Sequence, residues 1–597
     1  MKQKKRAINY TNRDFNSIKS DLENLARVHY PNTYKDFSEN SFGSFILDAV
    51  AYVGDMLSFY LDYQVNETFL ETAIEYDNIR RISKAYGYNF RPRPAAFGLA
   101  TFYIIVPAAT NGLGPNKKFI PVLQAGTEVA SDNGTAFVLT ENVDFSNSNN
   151  DIRAARFSST TGKPTSYAIR AYGQVKSSVL FRVTRDVDSF TRFRRVRVGP
   201  SSISEIVSVF DSQGNEYYKV EHLAQDVVYV ETTNPSVQTD GVRSIMKPKV
   251  VPRRFIVDQD STGTYLQFGF GSDEEFRTTD VLDPSQVSLK MSGRTYISND
   301  TFDPTKLLDS NTLGVAPANT TLTIVYEANE DDSINVNAGA LNTISVTSMN
   351  FPNGESNSIV TEYSVRNSLE VSNEEPIVGS TTMPTSDEIK IRSYSSFAAQ
   401  GRIVTSNDYE TYCYMMPAKF GAVKRANVVS DPSFTDRRIA IYVINENKSG
   451  HLIKTNTVVK QNLKTWLNRN KMLTDRIDIY DATIMNIGFN YRITVDPTRD
   501  QISVINNVNR ILKERMSEKL YIGEPFSIIN IYSTINKIAG VVDVIDVKMN
   551  IARGSGYNNP NISLDNILSN DGTKLIPPKN VILEIKNFER DIRGSAQ

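Results

Sequence analysis

The chain has 597 residues, of which 40% are hydrophobic and 22% charged. This composition is typical of globular proteins, and the length is sufficient for about four domains of roughly 150 residues each. Its 66 basic and 67 acidic side chains give a net charge of −1, so no overall field attracts nucleic acid or an anionic membrane surface. No segment reaches the roughly 18 consecutive apolar residues of a membrane span, and the basic start lacks the apolar stretch of a signal peptide.

The residues that most often carry chemistry are scarce. Cys413 is the single cysteine, and the three histidines, His29, His222 and His451, lie far apart in the sequence. A lone cysteine allows no intramolecular disulfide and no cysteine-based metal site. We therefore predict no catalytic residue, no cofactor and no metal site, in a chain that folds in a reducing cytoplasm.

Residues 1–94 predict a helical arm. A helix that starts between residues 37 and 42, with Ser41 among its possible N-caps, carries apolar residues spaced alternately four and three apart. This is the heptad pattern of a helix that packs along a partner helix, and we predict that interface from Phe42, Ile46, Ala49, Val53, Met56, Tyr60 and Tyr63. A second helix is predicted over residues 69–85, with Gly87 just after its end. The prolines of Arg91-Pro92-Arg93-Pro94 predict a boundary.

Three aspartates, Asp48, Asp55 and Asp62, recur every seven residues on the face opposite that stripe. Neighbouring carboxylates are then about 10 Å apart along the helix axis, too far to flank one scissile bond. We interpret them as a solvated face or as partners in salt bridges.

Residues 95–380 predict a β-rich middle region of one domain or two, with an irregular insertion near residues 150–260 and a long loop over residues 329–386. Short runs rich in β-formers between turn residues carry this prediction. The strand candidates are residues 99–106, 136–145, 227–231, 265–270 and 322–327.

Three short motifs resemble binding sites but favour structural interpretations. Gly269-Phe270-Gly271 precedes acidic residues rather than the Gly-Lys-Ser of a phosphate loop, so it predicts a turn. The arginines at 192, 194, 195 and 197 alternate as on an exposed strand face, which we favour over nucleic-acid binding. The acidic runs at 273–275 and 331–332 lack the spacing of a calcium loop.

Helices and strands alternate after residue 380 and predict two small α+β modules, residues 381–480 and 481–549, followed by an irregular tail, residues 550–597, with one late strand at 581–585. Ser406 is predicted to cap a helix that includes Cys413, and Cys413 and Trp466 are predicted core residues. The predicted fold class is multidomain α+β, with an N-terminal helical arm, β-rich middle domains and two small C-terminal α+β modules.

Several short motifs occur along the chain, and their order is more informative than any one of them. They are residues 36–43, 47–52 and 66–73, then Ile120-Pro121 with Ala125-Gly126-Thr127 and residues 136–140, then Phe268-Gly269-Phe270-Gly271, residues 402–410, and Ile522-Gly523-Glu524 with Ala539-Gly540-Val541. In this order the chain resembles the baseplate J-like proteins of contractile-tailed bacteriophages, although Ala539 stands where that family commonly has proline. Residues 150–260 and the tail after 550 match no motif of the family.

The resemblance implies a non-enzymatic structural subunit of a baseplate wedge, located in the virion tail baseplate and assembled in the host bacterial cytoplasm. It implies that N-terminal helices of paired copies form a bundle with a helix of another wedge protein. It also implies that C-terminal modules of neighbouring copies close a six-fold ring around the tail tube. Neither nucleic acid nor a membrane is an expected partner. Joints at residues 91–94 and 370–386 are predicted to let the ring change diameter during sheath contraction.

Other functional classes remain open from the sequence. The equivalent subunit of a non-viral contractile injection system would have nearly the same sequence pattern. A tail-associated glycan-degrading enzyme would be β-rich with long loops but would degrade purified host polysaccharide. A receptor-binding adhesin would be trimeric and would bind cells when isolated.

Overall fold

The structure, a computed structural model, describes residues 14–31, 38, 41–88, 94–110, 113–177, 179–201, 203–233, 244–260, 262–272, 313–329, 334–354, 359–430, 438–517 and 519–597. The helices in these ranges are α1 (Phe15–His29), α2 (Phe42–Asn66), α3 (Tyr76–Ala85), α4 (Ile359–Asn367), α5 (Ser386–Ala399), α6 (Ser406–Tyr414), α7 (Thr457–Asn468), α8 (Gln501–Arg515), α9 (Ile528–Asn536) and α10 (Phe588–Asp591). The predicted boundary at 91–93 and the acidic runs at 273–275 and 331–332 lie outside the described residues.

The strands fall into two stretches of the chain. The first stretch holds β1 (Phe97–Pro107), β2 (Val122–Leu123), β3 (Glu128–Ser131), β4 (Ala136–Leu139), β5 (Val143–Asp144), β6 (Asp151–Phe157), β7 (Pro164–Lys176), β8 (Val179–Val187), β9 (Arg195–Gly199), β10 (Ile203–Phe210), β11 (Glu216–Lys219), β12 (Val227–Thr233), β13 (Ser244–Val250), β14 (Arg254–Asp260), β15 (Gly263–Phe268), β16 (Thr320–Ala328), β17 (Leu341–Val346), β18 (Met349–Asn350) and β19 (Glu370–Ser372). The second holds β20 (Arg425–Ser430), β21 (Arg438–Glu446), β22 (Leu452–Ile453), β23 (Arg476–Asp481), β24 (Thr483–Val495), β25 (Phe526–Ser527), β26 (Val541–Ile551), β27 (Lys574–Leu575), β28 (Val581–Glu584) and β29 (Ile592–Ala596). The predicted multidomain α+β class is confirmed.

The chain divides into two compact units. One comprises Met1–Phe90 with Pro384–Ala398, and the other comprises Arg91–Met383 with Ala399–Gln597. Nearly all of α5 therefore belongs with the N-terminal helices, although about three hundred residues separate them in the sequence. The sequence did not predict this addition to the helical arm.

The predicted N-terminal helices are confirmed in part. Helix α2 begins at Phe42, directly after the cap Ser41, as predicted. The second helix is shorter than predicted, because residues 67–75 form turns and α3 begins only at Tyr76. Gly87 takes a φ of +86°, the left-handed conformation that glycine adopts without strain after a helix end.

The middle region contains two seven-stranded sheets, each with its own apolar core. The first has the order β17-β3-β4-β7-β1-β19, with β6 paired to β7, and the second has the order β8-β16-β10-β11-β14-β15-β9. Because β8 to β16 lie between β7 and β17 in sequence, the second sheet is inserted into the first. The prediction of an irregular insertion at 150–260 is wrong, since β6 to β14 occupy much of that range. The predicted loop over 329–386 is also wrong, since it contains β17 to β19 and α4.

Strand β1 lies between β7 and the short edge strand β19 in the first sheet, and it pairs with β7 along its full length. Its alternate residues Phe102, Ile104 and Val106 are fully buried, as the two-residue period of a strand requires. Gly173 on β7 has no room for a side chain, because a Cβ there would lie 2.6 Å from Val143. Close packing of this core thus depends on a glycine at that position.

The C-terminal part contains two α+β modules. In the first, α6 and α7 share an apolar core with β20, β21 and β23. In the second, α8 and α9 share a core with β24, β26, β28 and β29. The description of residues 550–597 as an irregular tail is wrong, because β28 and β29 both pair in parallel with β24. Their pairing partner lies about one hundred residues earlier, beyond the reach of local sequence patterns.

Helix α6 starts with a capping box. Thr405, rather than the predicted Ser406, is its N-cap, and the Asp408 carboxylate accepts a 2.8 Å hydrogen bond from the Thr405 backbone N–H. The next residue, Tyr409, is fully buried and donates its hydroxyl to Asp475 at 2.7 Å. These contacts give the motif at residues 402–410 a structural role.

We expect Tyr409→Phe to lower the free energy of unfolding of this module by about 1.5–3 kcal/mol, the usual contribution of a hydrogen bond to a charged group. Trp466 is the chain's single tryptophan, and its indole Nε1 donates to the Tyr412 carbonyl at 3.0 Å within the same module. The change in its fluorescence during urea unfolding therefore measures the unfolding of this module. Tyr480→Phe, at a half-exposed position of β23, is the control, and equal shifts in the two variants would contradict the prediction.

The predicted joint at residues 370–386 is too long. Ile377 and Val378 are fully buried, and Ile377 forms a β-bridge with Val336. The Asn335 side-chain amide donates to the carbonyls of Ser380 and Glu446, both at 2.7 Å. These contacts hold residues 377–380 within the compact unit to which they belong, so this part of the predicted joint is packed.

Candidate protein–protein interface

Helices α1 and α2 pack against each other through small residues. Ser44 and Ala51 of α2 are buried, and a Cβ on Gly54 would lie 3.3 Å from the Ile18 Cδ1 of α1. The Ser41 side chain caps α2 by accepting from the Ser44 backbone N–H at 3.1 Å. Small side chains let two helices approach closely, so α1 covers this one face of α2.

Asp48 lies on the face of α2 that α1 covers. Asp48 forms a 2.7 Å ion pair with Lys19 of α1, and at 100° per residue Asp55 and Asp62 fall on the same side of α2. The aspartates were predicted to lie opposite the apolar stripe, and this arrangement is consistent with that prediction. For Asp48, the salt bridge is made within the chain.

The predicted apolar stripe faces away from α1 and is largely exposed. Six of its seven members are exposed, namely Phe42, Ile46, Ala49, Val53, Met56 and Tyr60, and Phe42 is 78% accessible. Tyr63 is half-buried, and its hydroxyl donates to the Glu75 carboxylate at 3.0 Å. The structure therefore brings these residues together on one accessible surface.

Further apolar side chains widen this surface on both flanks. One flank carries Phe45, Tyr52 and Phe59, and the other carries Val50, Leu57 and Leu61. At 100° per residue the exposed apolar arc covers about 200° of the helix circumference. Tyr52 and Phe59 were not predicted from the sequence as part of this surface, although Phe45, Tyr52 and Phe59 follow one another at the seven-residue spacing of a heptad.

The exposed apolar surface is large for a soluble monomer. Helix α2 exposes twelve large hydrophobic side chains, whereas contiguous apolar patches on monomers rarely exceed a few hundred Å². Burying each such side chain contributes about 1.5–3 kcal/mol. The α2 surface is thus suited to bind other helices.

By length and composition alone, α2 is also long and apolar enough to cross a membrane. However, Asp48, Asp55 and Asp62 are distributed along it. An ionised carboxylate near the centre of a bilayer costs about 2.5–3.5 kcal/mol on insertion scales. The charge pattern therefore favours a protein partner over lipid.

The Glu67 carboxylate organises the turn between α2 and α3. It accepts hydrogen bonds from the Ile74 backbone N–H at 2.7 Å and from the Asn78 side-chain amide at 3.0 Å. These two hydrogen bonds, that of Asn78 first, lower the pKa of Glu67. The Thr72 hydroxyl completes the turn by donating to the Asn66 carbonyl at 2.7 Å. The motif at residues 66–73 therefore sets how α3 follows α2.

We expect the α2–α3 turn to loosen in acid. Because the folded-state pKa of Glu67 lies below its unfolded value, its stabilising effect is present above about pH 4.3 and is lost as the pH falls through the folded pKa. The check is the amide-exchange protection factor of Ile74 as a function of pH. Glu67→Gln should flatten that dependence, and an unchanged pH profile in this variant would refute the assignment.

Aromatic contacts hold α3 and α5 together. The ring of Tyr86 packs edge to face on Tyr394 at 5.8 Å and on Phe397 at 5.5 Å. Lys390 of α5 donates to the Glu71 carbonyl at 3.0 Å. Such aromatic pairs add about 0.5–1.5 kcal/mol beyond the burial of area. The base of the helical arm is therefore a packed structure.

The remaining sequence motifs have structural roles. Arg195 pairs with Asp258 at 3.1 Å and Asp260 at 2.7 Å and lies over the ring of Tyr265. The predicted charged strand face is confirmed for Arg195 and Arg197 of β9, whereas Arg192 and Arg194 precede the strand. A Cβ on Gly269 would lie 2.1 Å from the Gly314 carbonyl oxygen, so this glycine permits a close backbone approach.

The two predicted core residues have different burial. Cys413 is buried, and burial raises the pKa of its thiol, so the prediction is confirmed for this residue. Trp466 is only partly buried, stacked on Tyr412 against the core of the first C-terminal module. Among the described residues, no group of three or more His, Cys, Asp and Glu side chains is placed to hold a metal ion.

Residues 14–85, which span α1, α2 and α3, match the family described as "Bacteriophage baseplate protein, N-terminal domain". The helical arm resembles a baseplate domain. This match covers the helix hairpin that carries the α2 surface and the Glu67 turn. The resemblance predicted from the sequence is thereby confirmed for baseplate proteins in general.

One solved structure, described as "Cryo-EM structure of the anti-feeding prophage (AFP) baseplate, 6-fold symmetrised", is similar over 95% of this chain and 90% of the matched chain. The identity is 10% and the TM-score is 0.26, so this similarity supports no argument about function. No curated protein sequence matches the chain.

Proposed function

We propose that this chain is a structural subunit of the tail baseplate of a contractile-tailed bacteriophage, where it forms part of the wedge. The observation that carries the proposal is the exposed apolar surface of α2, which lies within the residues that match a baseplate N-terminal domain. A surface of this kind is typical of a protein that becomes stable in an assembly.

The proposed partners are other baseplate subunits and further copies of this chain. Helix α2 packs against helices of a second copy and of another wedge protein, because its apolar arc is wider than the two-residue seam of a simple two-helix coiled coil. The C-terminal modules pair with those of neighbouring copies in a six-fold ring around the tail tube. Nucleic acid and membranes are not partners in this proposal.

The role is mechanical rather than catalytic. The subunit is made and assembled in the host cytoplasm and helps to transmit the conformational change that triggers sheath contraction. In this proposal the chain flexes near residue 383, where it passes from one compact unit to the other.

Cryo-electron microscopy of the intact particle tests this proposal. The expected result is density for this chain in a ring around the tail tube, with α2 inside a helical bundle. Density for the chain at a fibre tip, as an adhesin would show, or its absence from the baseplate would refute the proposal. Activity of the purified chain on host polysaccharide would refute the non-catalytic role.

A further inference from the structure

The two C-terminal modules share a junction whose motif, Ile522-Gly523-Glu524, has no role in the interface described above. The first module consists of β20 to β23 with α6 and α7, and the second of β24 to β29 with α8 to α10. Strand β23 ends at Asp481 and β24 begins at Thr483. The single residue between them, Ala482, is buried and donates its backbone N–H to the Val443 carbonyl at 3.0 Å. The covalent connection therefore leaves no length of chain for a hinge.

A fully buried carboxylate joins the modules from both sides. The side chain of Glu584, at the end of β28, has no accessible surface. It accepts from the Leu452 backbone N–H of the first module at 2.9 Å. It also accepts from Lys519 and from the Asn486 side-chain amide of the second module, both at 3.0 Å. A buried charge with several donors holds its neighbours in one geometry, because moving any donor away leaves that charge underbonded.

Two side chains of β20 bind the loop that leads to the motif. The buried Arg425 guanidinium donates to the Lys519 carbonyl at 2.8 Å and lies 4.5 Å from the centre of the Tyr521 ring. The Asn427 amide donates to the Lys579 carbonyl at 2.7 Å and to the Ile522 carbonyl at 3.2 Å. The first module thus recognises the backbone of the second directly.

The motif itself fills the junction. Ile522 is buried in a small apolar cluster drawn from both modules, with Ile444, Leu452, Ala482, Ile484 and Ile582. Gly523 has a φ of +79°, and a Cβ there would lie 3.1 Å from the Lys579 Cα. The Glu524 carboxylate accepts from the Tyr521 backbone N–H at 2.6 Å and closes the turn. Only glycine satisfies both the backbone conformation and the spacing at this position.

We propose that the two C-terminal modules move as one rigid body, and that Glu584 together with the Ile522-Gly523-Glu524 loop is the clamp that sets the angle between them. The clamp is a property of this chain alone and does not depend on the proposed baseplate role. In a ring of such chains, a change of diameter takes place outside this pair of modules, since the pair transmits force without bending.

The distance between the modules in the full-length chain tests the clamp. Spin labels at Lys464→Cys on α7 and Lys513→Cys on α8 occupy exposed positions of the two modules, while Cys413 is buried. We expect one narrow distance distribution in the parent. Glu584→Ala removes the shared acceptor and should broaden this distribution by about twofold or split it in two, with Glu584→Gln intermediate.

Two glycines provide a matched pair of variants. Gly523→Ala and Gly572→Ala introduce the same Cβ at φ values of +79° and +67°, but a Cβ at Gly572 meets nothing within 4 Å. Only Gly523→Ala should broaden the distance distribution. A broad distribution in the parent, or parent-like widths in both Glu584→Ala and Gly523→Ala, would overturn the proposal. If Glu584→Ala does not fold, the comparison of Gly523→Ala with Gly572→Ala decides whether the clamp sets the angle between the modules.

Discussion

A chain in which Ile46 and Val53 are both replaced by aspartate is expected to lose its association with partner helices by at least about a hundredfold. Each aliphatic side chain contributes about 1.5–3 kcal/mol when it is buried, and 1.4 kcal/mol is a factor of ten in affinity. The substitutions also place carboxylates in an apolar seam, where unpaired charge is costly. The measurement mixes the purified chain with the proposed partner proteins and follows assembly by size-exclusion chromatography and light scattering.

The chain offers a control at apolar positions elsewhere that are even more accessible than Ile46 and Val53. Val360 on α4 and Leu473 after α7 are 84% and 97% exposed, and a Val360→Asp, Leu473→Asp chain should assemble normally. Because Ile46 and Val53 are themselves exposed in the isolated chain, the double variant should keep the parent's thermal unfolding. Normal assembly of the Ile46→Asp, Val53→Asp chain would exclude the α2 surface as the docking site.

Leu583→Asp is expected to unfold the second C-terminal module. Leu583 lies on β28, opposite Met485 of the central strand β24, and is 2% exposed within the module's core. Burial of a carboxylate there costs several kcal/mol, a large part of the roughly 5–15 kcal/mol that stabilises a typical domain. Limited proteolysis with mass spectrometry should show new cleavage sites between β24 and β29, while the two sheets of the middle region stay protected.

The control for this variant is Leu568→Asp, in the same C-terminal segment but 37% exposed, which should leave the protease pattern unchanged. A chain that ends at residue 549 should behave like Leu583→Asp, because it lacks both β28 and β29. A protease-resistant second module in either of these chains would mean that the C-terminal strands are dispensable and that the segment is a tail after all.

The α2 surface and the clamp have complementary properties. The α2 surface is exposed in the isolated chain and suits association. Of the clamp residues, Glu584 and Ile522 are buried, and their contacts lie within the chain. Variants at the first should change assembly without changing stability, and variants at the second should change internal geometry. Measuring both quantities on each variant separates the two roles.

Several features of this protein follow from the sequence by itself. The start of α2 at Phe42, its heptad stripe, the end of α3 before Gly87, and the alternation of helices and strands after residue 400 depend on residues a few positions apart. Caps, helical periodicity and glycine conformations act over such short distances, so local patterns are sufficient to predict them. The position of the candidate interface was predictable for the same reason.

Other features were decided only by the tertiary structure. The N-terminal helices recruit α5 from about three hundred residues away, the second sheet is inserted between β7 and β17, and β28 and β29 pair with β24. The accessibility of the α2 stripe depends on which face α1 covers, and the role of Glu584 depends on donors from both modules. Long-range pairing is selected by the packing of whole faces and by the satisfaction of buried polar groups. Neither can be inferred from the spacing of residues along the chain.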